Sequence, residues 1–393
     1  MKDTSKFMAG SPIDRRRFSI GVIGAGAALA APSVLAQAKP AELKFASVVP
    51  LTGPSAAYGI RTRDGSIMAR DHYNGASLVI GGKTYTVTID SADMVNDARQ
   101  AITLVRQYAS DSNCIAVLGL TNSVGYVASV PVAGQLKIPV IGGGSAAPIK
   151  QWNPYACRVN PVSDTAIPVF VKKVVATEKI KRLAVIYDQT QDGQLGDAEI
   201  CRRIAGETGY EVVAYQSFRS GDQDFSPQIS TIRNAKPDAI FVAAATGDGV
   251  KVVSQIRESG IDVPLLTGFG SFLDPVYWDG TRGKTKGTYT WIAHDLNSAQ
   301  GSLKSFVENY NKKFSLESTS FSAYGFDTVA TAVEALKLAG TVNREKMREV
   351  LSSINITTPI GTRVRFQNPP TGNNLEPTVI VTRVTGRGTY ELI

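Results

Sequence analysis

Three glycine- and hydroxyl-rich stretches are where this chain could do chemistry. They are Val49-Pro50-Leu51-Thr52-Gly53-Pro54-Ser55-Ala56-Ala57-Tyr58-Gly59, Gly119-Leu120-Thr121-Asn122-Ser123 and Gly142-Gly143-Gly144-Ser145-Ala146. Each follows an apolar run that reads as a β-strand, and each offers backbone N–H groups or small hydroxyls ahead of a helical stretch. Turns of this kind hold anions, because the first N–H groups of a helix lack intrahelical partners and its dipole favours negative charge there. The anion could be a nucleotide phosphate or an organic carboxylate, and the two imply different proteins.

The phosphate reading fails on spacing. Gly82-Lys83-Thr84 and Gly283-Lys284-Thr285 look like the end of a P-loop, but that motif needs a glycine five positions before its Gly-Lys pair, where Ser77 and Trp278 stand. Val22-Ile23-Gly24-Ala25-Gly26 opens like a dinucleotide fingerprint without the preceding strand and later acidic residue that give the motif its function. Hydrolysis fares no better. No serine sits in a Gly-x-Ser-x-Gly elbow; Ser271 in Gly268-Phe269-Gly270-Ser271-Phe272 comes nearest and lacks the last glycine. Only two histidines, His72 and His294, are available as bases, and the three cysteines, Cys114, Cys157 and Cys201, show no metal spacing. Cys114 and Cys157 could pair in an exported protein, with buried free thiols the equal alternative. The expectation is therefore a binding protein, not an enzyme, with no cofactor, no metal and no catalytic residue.

The elements that position these loops begin after the first forty residues. Asp14-Arg15-Arg16-Arg17-Phe18-Ser19-Ile20 precedes an apolar run from Gly21 to Ala31, and Ala36-Gln37-Ala38 offers a small-x-small cleavage pattern. Residues 1–38 thus read as a twin-arginine export signal, too short in apolar length for a membrane anchor. Removing them takes away five basic and two acidic residues, so the net charge of +8 falls to +5. The remaining bases are scattered, which argues against a nucleic-acid partner.

From there short β-branched runs alternate with helical stretches, the pattern of parallel sheets covered by helices. Strands are expected at Leu43–Pro50, Tyr85–Asp90, Cys114–Gly119, Ile138–Gly142 and Cys157–Asn160, with helices around Ile60–Asn74, Asp97–Ser110 and Ser123–Leu136 between them. The alternation restarts at Arg182–Tyr187, Glu211–Ser217, Ala239–Ala244, Pro264–Gly268 and Gly287–Ala293. Three helical stretches follow, which should return to the first lobe, and then Arg363–Gln367, Thr378–Val384 and Gly388–Leu392 as strands near the second. In such lobes ligands meet the carboxyl ends of the strands, so Asp188–Gly193, Ala244–Asp248 and Gly268–Phe272 should face the three loops of the opening paragraph. Ser123 is expected to cap the helix that follows it, and Phe269, Phe272, Tyr126 and Trp152 could wall the site or simply pack in cores.

Taken in order, "PLTGPSAAYG", "AVLGLTNSVGYVASVPVAGQLKIPVIGGGSAAP", "LAVIYDQTQDGQLG", "DFSPQISTIRNAKPDAIFVAA" and "GFDTVATAVEAL" resemble the periplasmic Leu/Ile/Val-binding proteins, type I substrate-binding proteins of ABC importers. The likeness spans nearly the whole chain after residue 38. It implies an α/β fold of two Rossmann-like lobes joined by a three-strand hinge, with 41–161 plus 294–359 as the first lobe and 162–293 plus 360–393 as the second. It also implies a periplasmic monomer that closes on a small-molecule carboxylate and delivers it to ABC permease subunits in the membrane. A sensory module would use the same fold.

Carried over position by position, the resemblance assigns carboxylate binding to Ser123 and to Gly144, Ser145 and Ala146, with Thr121 and Asn122 as flanking walls and Tyr58 as an aromatic contact; Gly143, at the turn before Gly144, is a further ligand-binding candidate. The second lobe departs from the pattern. Where amino-acid binders of the family carry an acidic partner for the ligand ammonium, this chain has Gly270 beside Phe269, and tyrosines are replaced by Asp192 and Ala245. An unpaired ammonium in a closed cleft would cost several kcal/mol. The expected ligand is accordingly a carboxylate without an α-ammonium, with an aromatic acid a candidate; a branched-chain or other hydrophobic amino acid is the alternative if Asp192 or Asp248 supplies the missing charge.

Overall fold

The computed structural model describes residues 39–143, 149–376 and 378–393. The proposed export signal, and Gly144, Ser145 and Ala146 of the glycine turn, lie outside the described residues. The first part of the chain runs β1 (Ala41–Val49), α1 (Ala56–Gly75), β2 (Val79–Ile80), β3 (Lys83–Asp93), α2 (Ala98–Ser110), β4 (Cys114–Gly119), α3 (Ser123–Leu136), β5 (Val140–Gly142) and β6 (Ala156–Arg158). Then come α4 (Ser163–Glu178), β7 (Arg182–Asp188), α5 (Asp192–Arg203), α6 (Ala205–Thr208), β8 (Glu211–Phe218), α7 (Ser226–Ala235), β9 (Ala239–Ala243), α8 (Thr246–Glu258), β10 (Leu265–Leu266), α9 (Pro275–Thr281) and β11 (Tyr289–Ile292). The last part is α10 (Gly301–Phe314), α11 (Ser320–Ala339), α12 (Arg344–Leu351), β12 (Asn355–Thr357), β13 (Arg363–Arg365), β14 (Ile380–Gly386) and β15 (Thr389–Leu392).

Two sheets result, one ordered β2-β3-β1-β4-β5-β6 and the other β15-β14-β11-β10-β9-β7-β8. Their central strands are parallel, with antiparallel strands only at the edges. Helices on both faces explain why every residue of β4 and of β9 is buried. On α2 the buried Ala101, Leu104, Val105 and Tyr108 recur at helical spacing, and the Asp97 side chain accepts from the Gln100 N–H to start the helix. Nearly all of α11 is buried, because it lies against α1 at backbone distance. A Cβ on Gly65 would stand 1.9 Å from the Ser322 carbonyl oxygen, and one on Gly325 would stand 2.0 Å from that of Thr62. These two glycines permit the crossing.

The chain passes between the sheets three times, after β6, after β11 and between β13 and β14. One boundary falls differently from the sequence expectation. Ile360, Val364 and Phe366, assigned above to the second lobe, pack into the first lobe's core beside Phe306, Tyr324 and Met347. Strand β13 pairs with β12 in a separate two-stranded ribbon and not with the second sheet. The reason is the short β12, which an apolar-run reading overlooks, and which keeps β13 on the side where its apolar partners lie. All three cysteines are free and buried, which decides between the two alternatives for Cys114 and Cys157. Among the described residues, no helix is long and apolar enough to cross a membrane.

Candidate functional site

The carboxyl ends of both sheets open onto one cleft holding about 580 Å³ of empty space, its mouth included. From the first lobe come Tyr58, Thr121, Asn122, Ser123 and Phe321, with Asn160 from the first crossing. The second lobe contributes Gly193, Gln194 and Asp197 of α5, Ala243 and Ala244 at the end of β9, and Thr267, Gly268, Phe269 and Ser271 after β10.

On the first-lobe side the polar groups are neutral. Asn122 occupies the N-cap position of α3 in extended backbone, and Ser123 is the first helical residue, one position inside the cap expected of it. Ser123 and the start of α3 therefore border the cleft, where an anion would gain from the first helical N–H groups. The Thr121 hydroxyl donates to Thr62 Oγ1 at 3.1 Å, anchoring the loop to α1, and the Asn122 amide donates to the Asn96 side chain. Gly143 lies behind this surface instead of lining it, its N–H donating to the Gly119 carbonyl at 3.3 Å.

The second-lobe side carries one charge. Asp197 is the only charged residue lining the cleft among the described residues, and its Oδ1 is buried without a hydrogen-bond partner. Burial pushes its carboxyl up to about 7, the Ser163 hydroxyl offsets part of that, and the neighbouring Asp164 charge adds to it. Gly268 makes room for this carboxylate, since a Cβ there would stand 2.5 Å from Asp197 Oδ2.

The three second-lobe positions singled out in the sequence flank the lining without being part of it. Asp192 is exposed at the start of α5, one residue before Gly193. Ala245 is buried at the N-cap of α8, next to Ala244. Gly270 faces α11, with Ser320 Cβ 3.3 Å from where its own Cβ would be. Asp248, the other candidate charge, is taken up by its own lobe: it accepts from the Ser220 hydroxyl at 3.1 Å and pairs with Lys251 at 3.1 Å.

Of the four rings proposed as walls, Phe269 lines the cleft, whereas Tyr126 and Phe272 are core residues and Trp152 packs over Arg158. Tyr58 and Phe321 complete the aromatic side, stacked at 4.4 Å, with Phe269 edge-on to Phe321 at 5.4 Å. Phe321 and Asp197 escaped a search of strand ends because both sit on helices. The only signal for Asp197 was its place one turn after Gly193 near the start of α5.

A family profile described as periplasmic binding protein matches residues 42–389. The leucine-, isoleucine-, valine-, threonine- and alanine-binding protein of Pseudomonas aeruginosa is 24% identical over 330 residues, covering 81% of this chain and 84% of that protein. The leucine-binding protein LivK of Thermotoga maritima superposes with a TM-score of 0.79 at 24% identity, covering 89% of this chain and 97% of that one. A solute-binding protein of an ABC transporter from Rhodopseudomonas palustris, solved with 3,4-dihydroxybenzoic acid, superposes with a TM-score of 0.77 at 20% identity, covering 90% and 96%. The chain belongs to the periplasmic binding protein family.

Proposed function

We propose that this chain is the extracytoplasmic solute-binding component of an ABC importer, a monomer that closes on a small organic acid and hands it to a membrane permease without chemical change. The observation that carries this reading is the cleft itself, lined from both sheets, with Thr121, Asn122 and Ser123 at a helix start on one side. The twin-arginine signal read in residues 1–38 supports an exported location.

Asp197 shifts the choice of acid. A carboxylate ligand lodged at Ser123 brings no positive charge to the other wall, and an ionised Asp197 across a water-poor cleft then stands unpaired beside another anion. A ligand that also carries an ammonium pairs with it, so a hydrophobic α-amino acid becomes the leading candidate, as the names of relatives suggest. The second reading is an aromatic acid without an ammonium, supported by the Tyr58, Phe269 and Phe321 rings and by the dihydroxybenzoate neighbour. It requires Asp197 to take up a proton on binding.

A thermal-shift panel of amino acids, aliphatic acids, aromatic acids and amides, run at pH 6 and pH 8, tests the proposal, because a ligand that prefers the folded state raises its melting temperature. Branched-chain or aromatic amino acids should give the largest rise. Silence toward every carboxylate, with a response to amides alone, would overturn the carboxylate reading; turnover of a bound compound would overturn the binding role.

A further inference from the structure

Behind the aromatic side of the cleft, α1 of the first lobe meets the segment after β10 of the second through buried polar contacts. The Arg61 Nε–H donates to Asp274 Oδ2 at 3.1 Å, and only 6% of the Arg61 side chain and 2% of the Asp274 side chain are exposed. Arg61 Nη1 is buried with no partner among the described residues. Asp274 also starts α9, its Oδ1 accepting from the Val276 N–H at 3.0 Å. One turn earlier on α1, the Tyr58 hydroxyl shares hydrogen bonds with Ser271 Oγ at 3.2 Å and Tyr277 Oη at 3.0 Å.

Tyr58 and Ser271 both line the cleft. The ion pair therefore sits one helical turn behind one lining residue and three positions beyond the other. Its strength is not what makes it useful. A single hydrogen bond between two desolvated charges returns little more than their loss of water costs, whereas burying either charge alone is strongly unfavourable. Docking the lobes out of register leaves Asp274 buried and unmatched and leaves Arg61 only the influence of Asp64 and Tyr310 in its own lobe, which penalises arrangements other than the one seen here.

We propose that Arg61 and Asp274 form a latch, acting as positioning residues that admit lobe closure only in the register that sets Tyr58 against Ser271 and Tyr277. The latch is independent of which acid the cleft takes. Separation of the lobes returns both charges to water, so the pair acts on the open–closed equilibrium and not on the stability of either lobe.

Small-angle scattering and thermal melting test this on the mature chain after unfolding in guanidinium and refolding to strip co-purified solute. The wild type is expected to hold a compact population. Arg61→Gln and Asp274→Asn should each raise the ratio of open to closed forms at least about tenfold, with melting temperature nearly unchanged. The double variant Arg61→Met with Asp274→Leu, which removes both charges, should regain wild-type compactness. A wild type that is fully open, or single variants as compact as the wild type, would overturn the latch. Equally fatal are a double variant as open as the singles, and a large fall in melting temperature in both single variants without a change in dimensions, which would mark the pair as a fold-stabilising contact only.

Discussion

The two walls of the cleft are built on different principles. The first-lobe wall is backbone and small neutral groups at a strand end, with Thr121, Asn122 and Ser123 set by the start of α3. The second-lobe wall carries one helix-borne carboxylate among the described residues, Asp197, whose room is kept by the absence of a side chain at Gly268. A loop feeding a helix always presents N–H groups, so the first wall suits any carboxylate. A single buried acid is selective, because it favours one charge state of the guest over another. Under the proposed function, general affinity and ligand choice would belong to opposite lobes.

That contrast can be broken most directly at Asp197. If the ligand is an amino acid, Asp197→Asn should weaken binding by about 2–3 kcal/mol, roughly 30- to 150-fold, by calorimetry. Unchanged or tighter binding of an aromatic acid by this variant would transfer the choice to the ring wall. Gly268→Ala should displace the Asp197 carboxylate and cost somewhat less, about 1–2 kcal/mol, in the range of a small overpacking. A smaller effect is expected in the free protein's pH dependence. The Asp197 carboxyl is raised to about 7 from an ordinary value near 4, so between those pH values the unfolded chain holds fewer protons, and stability falls as pH rises. Asp197→Asn should abolish that slope, melting higher than the wild type at pH 8 and no higher at pH 4. Binding separates the two readings with opposite signs: amino-acid affinity should rise as pH climbs through 7, and anionic-acid affinity should fall. Least costly is Ser123→Ala, which removes one neutral donor among several and should lose about 1 kcal/mol for every carboxylate alike. A loss confined to one acid would show that the first wall also selects.

The first wall was legible in the sequence because its signals are local. Apolar runs such as Cys114–Gly119 followed by Leu120-Thr121-Asn122-Ser123 announce a strand, a turn and a helix start within ten residues, and the structure places that helix start at Ser123. The glycine turn was equally visible, although Ser145 lies outside the described residues. The second wall was legible only by neighbourhood. Asp192, Ala245 and Gly270 each stand one residue from the lining, since a strand-end search finds the loop, whereas the local backbone path decides which residue turns inward. Phe321 had no local signal at all; it reaches the cleft because α11 returns from the far end of the chain to cross α1.

What the residue order determined by itself was the kind of fold and the neutral strand-end loop leading into α3, since alternating periodicity and turn chemistry act over a few neighbours and need no distant partner. Tertiary structure alone decided that Asp197 faces this loop, that Gly268 leaves it space, and that Arg61 meets Asp274. Those contacts join residues from 71 to more than 200 positions apart, and their energies depend on burial, which exists only once the carboxyl ends of the two sheets face one another across the cleft.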